Sequence, residues 1–364
     1  MGGGQPYHAC AFRVSLRGAC DTVPPVKQDS EAAADVPAHG LLPRRKLGRT
    51  GLEVTVLGLG GAFLGEARDR GNPAGERAEI ATATVRAAVE FGINYIDTSP
   101  LYQDEVAERS LGVALGGLSE EQRDEVRVST KVGTRSGMIW RYDNEAVRRS
   151  FAISQEALGR EYLDIVFVHD PASEEHMDQI LGAGGAAEAV EELKAEGAVG
   201  ALGLGVRNHH WHRRCIEDGR FDVVLLPYDY SPVRDSARSL IELARQHDVG
   251  VVSASPYLRG LLAGPDPAEQ ARLGSQEPQD TERAAAVYAW CRERGVDAGA
   301  LAVQFSTRNT GIGSTLVGSR HPGEITASFR HATAALPEGI WDEFEAAAAR
   351  FPAAAPRGET GIAE

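Results

Sequence analysis

The chain has 364 residues, of which 42% are hydrophobic and 25% charged, and carries a formal net charge of −14. That length holds one large domain or two ordinary ones, with enough chain to bury a sizeable core. The acidic balance argues against nonspecific attraction to nucleic acid or anionic membranes, though it leaves room for a local basic pocket that binds a phosphate.

The opening stretch, residues 1–43, is rich in Gly, Pro, Ala and charge and has no clear period. It is expected to be a disordered extension. It lacks the continuous apolar segment of a signal peptide, and Pro6 stands where a myristoylation signal wants Ser or Thr. Nowhere do eighteen apolar residues run together, so no transmembrane helix is expected. Cys10, Cys20, Cys215 and Cys291 are scattered and form no C-x-x-C, which fits reduced thiols in a cytoplasmic protein.

From residue 44 a rhythm begins. "RRKLGRTGLEVTVLGLGG" allows a small hairpin, turning at Arg49-Thr50-Gly51, before a first apolar strand within 53–61. Helical spacing at Ile80, Val85, Ala88 and Val89 follows, and Gly92 stops it. Strands are then expected at 93–99, 126–132, 163–170, 200–207, 221–231, 250–256 and 313–320, each followed by an amphipathic helix, with extra helices over 298–308 and 337–351. Continuous apolar strands alternating with helices imply a parallel sheet covered by helices. Eight such units over roughly 250–300 residues favour an α/β fold of the closed (β/α)8 TIM-barrel type over an open sheet. The expected organisation is therefore a disordered 1–43, a barrel over 44–352 and a flexible tail over 353–364.

Catalytic groups in such barrels gather at the C-terminal ends of the strands. The second strand ends in Asp97 with Tyr102 just after it, the third carries Lys131 and the fourth ends in His169. Taken singly, each has a bland reading: a loop cap, a packed phenol, a snorkelling lysine or a satisfied histidine. Together they fall on one rim and make coherent chemistry. A carbonyl that receives a hydride needs a proton on its oxygen. A free phenol, with a pKa of about 10, is a weak acid near neutrality, and a neighbouring cation such as Lys131 brings it down. A buried lysine needs a carboxylate, which Asp97 supplies, while His169 holds the carbonyl oxygen.

"INYIDTSPLY", "STKVG" and "VHDP", in that order, resemble the three catalytic segments of the aldo-keto reductase family, and "RKLGRTGLEVTVLGLGG" resembles its usual opening. The likeness covers about residues 44–335. It implies Asp97, Tyr102, Lys131 and His169 as the catalytic tetrad, and a nicotinamide nucleotide across the barrel mouth with neither a Rossmann fold nor a metal. Asn208 matches the family asparagine that holds the nicotinamide carboxamide. Arg207 replaces the usual Ser, Pro227 an expected Gln, and Ala254 the stacking aromatic, for which Tyr257 could compensate. Gly318, Ser319 and Arg320 resemble the loop and helix start that bind the adenosine phosphate. Arg320 suits the 2'-phosphate of NADP, whereas Glu324 would repel it, so NADP and NAD both stay open.

The motifs look most like the branch that oxidises free aldoses or pyridoxal, to which D-threo-aldose 1-dehydrogenase and L-fucose or L-galactose dehydrogenases belong. A small carbonyl or sugar substrate is implied, with Trp140, Arg135 and Tyr257 as candidate pocket residues. Gln103 departs from the Gly common after the tyrosine. A rival class is a catalytically slow nucleotide-binding barrel that regulates a partner, as potassium-channel beta subunits of the same family do. A metallohydrolase barrel would need H-x-H on the first strand, which is absent, and the histidines of "NHHWHRR" lie at spacings that do not face one another on a helix.

Overall fold

The structure is a computed structural model and describes residues 42–66, 73–267 and 277–355. The expected extension over 1–43 and tail over 353–364 lie almost wholly outside those residues.

The hairpin comes first. β1 (Arg44–Lys46) pairs antiparallel with β2 (Glu53–Thr55), Arg44 opposite Thr55. The apolar run that reads as one strand over 53–61 is thus divided. Its first half closes the hairpin, and its second half, β3 (Leu57–Gly60), enters the barrel. The other barrel strands are β4 (Tyr95–Asp97), β5 (Arg127–Val132), β6 (Leu163–His169), β7 (Val199–Gly205), β8 (Val223–Pro227), β9 (Gly250–Ala254) and β10 (Ser314–Gly318). They pair in chain order, and β10 closes the ring by pairing parallel with both β9 and β3.

Helices α1 (Ala74–Glu90), α2 (Val106–Gly116) and α4 (Asn144–Leu158) follow β3, β4 and β5, with the short α3 (Glu120–Glu125) placed before β5. α5 (Glu174–Leu181) and α6 (Ala186–Ala195) follow β6, then α7 (His209–Asp218) and α8 (Arg238–Gln246) follow β7 and β8. α9 (Pro278–Glu293) and α10 (Ala298–Thr307) follow β9, and α11 (Pro322–Thr333) and α12 (Ile340–Ala348) follow β10. The local rules are visible in α4. Asp143 caps it by accepting from the Ala146 N–H at 3.0 Å, and Gly159 ends it in the left-handed region. Between those ends Val147, Ser150, Phe151, Ser154 and Leu158 recur every three or four residues and are buried. α3 and α5, both shorter than nine residues, escape the periodicity because they span about two turns each.

Two apolar layers follow from the geometry. Helix faces pack on the outside of the strands, while Leu47, Tyr95, Ile165, Phe167, Val223, Leu225, Val252 and Leu316 fill the interior. Leu47 comes from the hairpin turn and plugs the end of the barrel where the strands begin. Phe167 needs Gly203 beside it, since a Cβ there would lie 2.3 Å from the ring. Burying such a ring contributes about 2–3 kcal/mol. The interior is packed, so a ligand has access only at the rims, and all eight strands end at the same one.

Candidate functional site

Three adjacent strands build the site. Registry sets Asp97 of β4 opposite Ser129, Lys131 of β5 opposite Phe167, and His169 of β6 opposite Gly205. Lys131 Nζ lies 2.6 Å from Asp97 Oδ2 and donates to the Thr98 carbonyl at 2.8 Å. Both side chains of the pair are almost fully buried. Ser129 donates to the other Asp97 oxygen at 2.7 Å, and its hydroxyl is in turn 2.9 Å from the Tyr95 hydroxyl. Ser129 and Lys131 are two residues apart on one strand and so share a face, which makes Ser129, the first residue of "STKVG", legible in the sequence as a partner of the pair.

Tyr102 stands above this pair, its ring centroid 4.7 Å from Lys131 Nζ and 6.2 Å, edge-on, from the His169 ring. Burial pushes the phenol up to about 12, overriding the downward pull of Lys131. The expectation of a phenol tuned toward neutrality is therefore corrected: the lysine acts in the expected direction, but desolvation is the larger effect. For Lys131 burial works against the charge, yet Asp97 and Tyr102 outweigh it and the ammonium is held above its usual value. Burial lowers His169 below the ordinary histidine value, against the pull of Asp170, whose Oδ2 is 3.3 Å from His169 Nε2. Nδ1 is 3.4 Å from the hydroxyls of Ser99 and Thr134.

Tyr142, absent from the motifs, supports the histidine by donating to the His169 carbonyl at 2.8 Å. It reaches that place because residue 133 is glycine: Gly133 is left-handed at φ 95°, and a Cβ would meet the Tyr142 ring at 2.3 Å.

The other expected residues divide. Trp140 is 48% exposed on the loop after β5, its ring 5.5 Å from that of His176. Arg135, expected in the substrate pocket, is only 2% exposed. Its guanidinium turns into the helix layer toward Glu108, Ser150 and Ser154, so it offers no surface to a substrate. Tyr257, expected over the nicotinamide or in the pocket, instead directs its hydroxyl to Ser328 (3.1 Å) and His331 (2.8 Å) on α11. The ring is thereby committed to the helix bundle.

Asn208 caps α7, its Oδ1 accepting from the Trp211 N–H. Arg207 lies 4.7 Å over the Tyr228 ring. Gly318 ends β10 and is exposed. Ser319 is buried, and its hydroxyl has no hydrogen-bond partner among the described residues. An orphaned hydroxyl beside the N-terminus of α11 suits a phosphate oxygen. Arg320 is taken by Glu324: Nη1 donates to Oε1 at 3.1 Å and the Arg320 N–H to Oε2 at 2.7 Å.

The histidines of "NHHWHRR" go to separate partners. His209 meets Asp229 and His212 meets the Val206 carbonyl, and among the described residues no group of three or more His, Cys, Asp or Glu is placed to hold a metal ion.

A closed parallel barrel with a buried lysine–aspartate pair under a phenol, and a phosphate-ready loop on the same rim, is the framework of a nicotinamide-dependent oxidoreductase. Residues 56–349 match the Aldo/keto reductase family. L-galactose dehydrogenase of Arabidopsis thaliana is 34% identical over 284 residues, covering 77% of this chain and 85% of that protein. Pyridoxal 4-dehydrogenase of Microbacterium luteolum is 30% identical over 334 residues, 82% of this chain and 95% of that one. D-threo-aldose 1-dehydrogenase of a Pseudomonas species is 29% identical over 319 residues, with 80% and 94% covered. The holo form of an aldo-keto reductase from Bacillus halodurans superposes with a TM-score of 0.69 at 21% identity, over 86% of this chain and 97% of that one, and so shares the fold. The chain belongs to the aldo/keto reductase family and is an NAD(P)-dependent oxidoreductase that interconverts carbonyl and alcohol groups. A catalytically slow, nucleotide-binding regulatory barrel is not favoured. No helix among the described residues is long and apolar enough to cross a membrane.

Proposed function

We propose that this oxidoreductase is a cytoplasmic aldose 1-dehydrogenase, working on the ring hemiacetal of a free sugar with Tyr102 as general acid/base and NAD in preference to NADP. The observation that carries the catalytic part is the buried Lys131–Asp97 pair beneath the Tyr102 ring, with His169 edge-on to it.

A bound nicotinamide dinucleotide accepts the hydride in oxidation and supplies it in reduction. Tyr102 takes the proton of the anomeric hydroxyl as C1 loses its hydride, leaving a lactone, and in the reverse direction returns that proton to the carbonyl oxygen. Lys131 stabilises the phenolate this requires, and Asp97 keeps Lys131 charged in a buried position. His169, kept neutral by burial, holds the substrate oxygen by a hydrogen bond. Trp140 offers an exposed apolar ring face against which a sugar ring can lie. The names of the three relatives, two of them sugar dehydrogenases, support the sugar substrate. The pyridoxal relative keeps that aldehyde as the second substrate to try.

For the cofactor, Asn208 commits its carbonyl oxygen to the helix cap, which leaves its NH2 end for the nicotinamide carboxamide. Arg207 is its neighbour on that strand end. Gly318, Ser319 and the start of α11 would hold phosphate. Glu324 neutralises Arg320 and puts a carboxylate there. A carboxylate accepts hydrogen bonds from a ribose diol and repels a 2'-phosphate, which supports NAD.

The test is the absorbance of reduced nicotinamide, with NAD or NADP and a panel of aldoses and pyridoxal. Aldose oxidation with NAD is expected, falling by about 10²–10⁴-fold in Tyr102→Phe with nucleotide binding kept. Full turnover in Tyr102→Phe would remove the catalytic reading, and turnover of pyridoxal alone would move the substrate to that aldehyde.

A further inference from the structure

Immediately after Tyr102 come three consecutive non-glycine residues with left-handed backbone: Gln103 (φ 54°), Asp104 (φ 51°) and Glu105 (φ 69°). L-residues visit that region singly and at a cost, and a run of three is strained. Such a turn keeps its shape only where the surroundings over-determine it. Here they do so from two sides. Gln103 stands where glycine would be at ease, and its Nε2 donates to the Leu64 carbonyl at 3.1 Å. On the other side is Arg135. Its Nη1 lies 2.9 Å from Glu105 Oε1, and its Nη2 donates to Glu108 Oε2 at 3.3 Å and to Ser154 Oγ at 2.7 Å. Nη2 also reaches the Ser150 carbonyl at 3.2 Å. The second Glu108 oxygen accepts from Thr130 Oγ1 at 2.5 Å, one residue before Lys131.

The buried guanidinium therefore ties the segment that carries Tyr102 to the strand that carries Lys131. We propose that Arg135, by gripping Glu105 and Glu108, is a positioning residue that holds this left-handed turn and so sets the Tyr102 hydroxyl against Lys131 and His169. The inference rests on the tetrad reading above. It gives a burial-rich, substrate-free site a role in the reaction: the phenol hangs on a strained turn, and a misplacement of about 1 Å costs on the order of 10²-fold in rate. A purely structural ion cluster would alter melting temperature and leave the reaction profile of the folded enzyme alone.

The experiment uses Glu105→Gly, Arg135→Met and Arg135→Lys in the full chain. Glycine is comfortable at φ 69°, so Glu105→Gly removes the Glu105 arm of the grip without adding strain, and it serves if Arg135→Met fails to fold. The expected result is a kcat reduced about 10–100-fold, KM and nucleotide affinity within about twofold, and an altered pH profile of oxidation, with Arg135→Lys recovering part of the loss. Hydrogen exchange is expected to speed up about tenfold or more in the peptide 98–111 and to stay unchanged in 163–169. Unchanged exchange of 98–111 in Glu105→Gly would overturn the grip. Faster exchange with wild-type kcat and pH profile would overturn the positioning role. If Tyr102→Phe kept full turnover, the tetrad reading itself would fall and the positioning role with it, while the exchange result would still decide whether Arg135 holds the turn.

Discussion

Replacing Asp97 by Asn keeps the shape of the side chain and removes one charge from a buried pair. At 2.6 Å the pair's attraction is roughly 6 kcal/mol with an effective dielectric constant of about 20. Desolvation of the two ions takes back part of it, and breaking such a pair by removing one partner ordinarily costs about 3–5 kcal/mol. Most of that cost is the stranded Lys131 ammonium, whose charge burial disfavours. The sign against pH follows. In the wild type Lys131 is held above its usual value, so its contribution is full below about pH 10 and is lost only as pH rises through the higher folded value. In Asp97→Asn the folded value falls below the unfolded one, so the deficit is largest at neutral pH and shrinks as pH rises toward 10. Urea unfolding of both proteins between pH 6 and pH 10 reads this directly. A deficit under about 1 kcal/mol, or one that does not change with pH, would refute the claim that Asp97 is what keeps a buried Lys131 charged.

Other consequences are open to simpler assays. With its phenol pushed up to about 12, Tyr102 is protonated at neutrality, so kcat/KM for oxidation is expected to rise from pH 7 to pH 10 while reduction stays nearly flat. An oxidation profile flat over that range would remove Tyr102 as the base. Glu324→Ala frees Arg320 and is expected to raise the efficiency with NADP by about tenfold or more, the worth of one charge-assisted hydrogen bond. No change in the NADP to NAD ratio would take the carboxylate out of cofactor choice. His212 is buried, and burial lowers it to about 4 while its ring bonds the Val206 carbonyl. The unfolded state then binds the proton first, so stability falls as pH drops from about 6.5 to 4, by about 3 kcal/mol from this one group. His212→Gln should flatten that fall in acid unfolding, and identical curves would count against it.

The barrel and the identity of its rim are written in the local pattern of the chain. Strand and helix alternate with different apolar periods, and strand ends are marked by polar residues, so the local pattern alone places Asp97, Tyr102, Lys131 and His169 on one rim. The division of residues 53–61 between hairpin and barrel was already half legible in the turn at Arg49-Thr50-Gly51. Direction and company emerge only when distant segments pack together. Arg135 and Trp140 sit five residues apart on the same connection, yet one turns into the helix layer to meet Glu105 and Glu108 at the start of α2 and the other stands in solvent. Tyr257 is spent on Ser328 and His331, more than seventy residues further along the chain. The phenol's acidity is hidden from the sequence for the same reason. The charge of Lys131 can be read from the sequence, but the desolvation that outweighs it comes from every segment packed around Tyr102. Local pattern encodes where a strand ends, whereas burial and pairing are sums over distant parts of the chain.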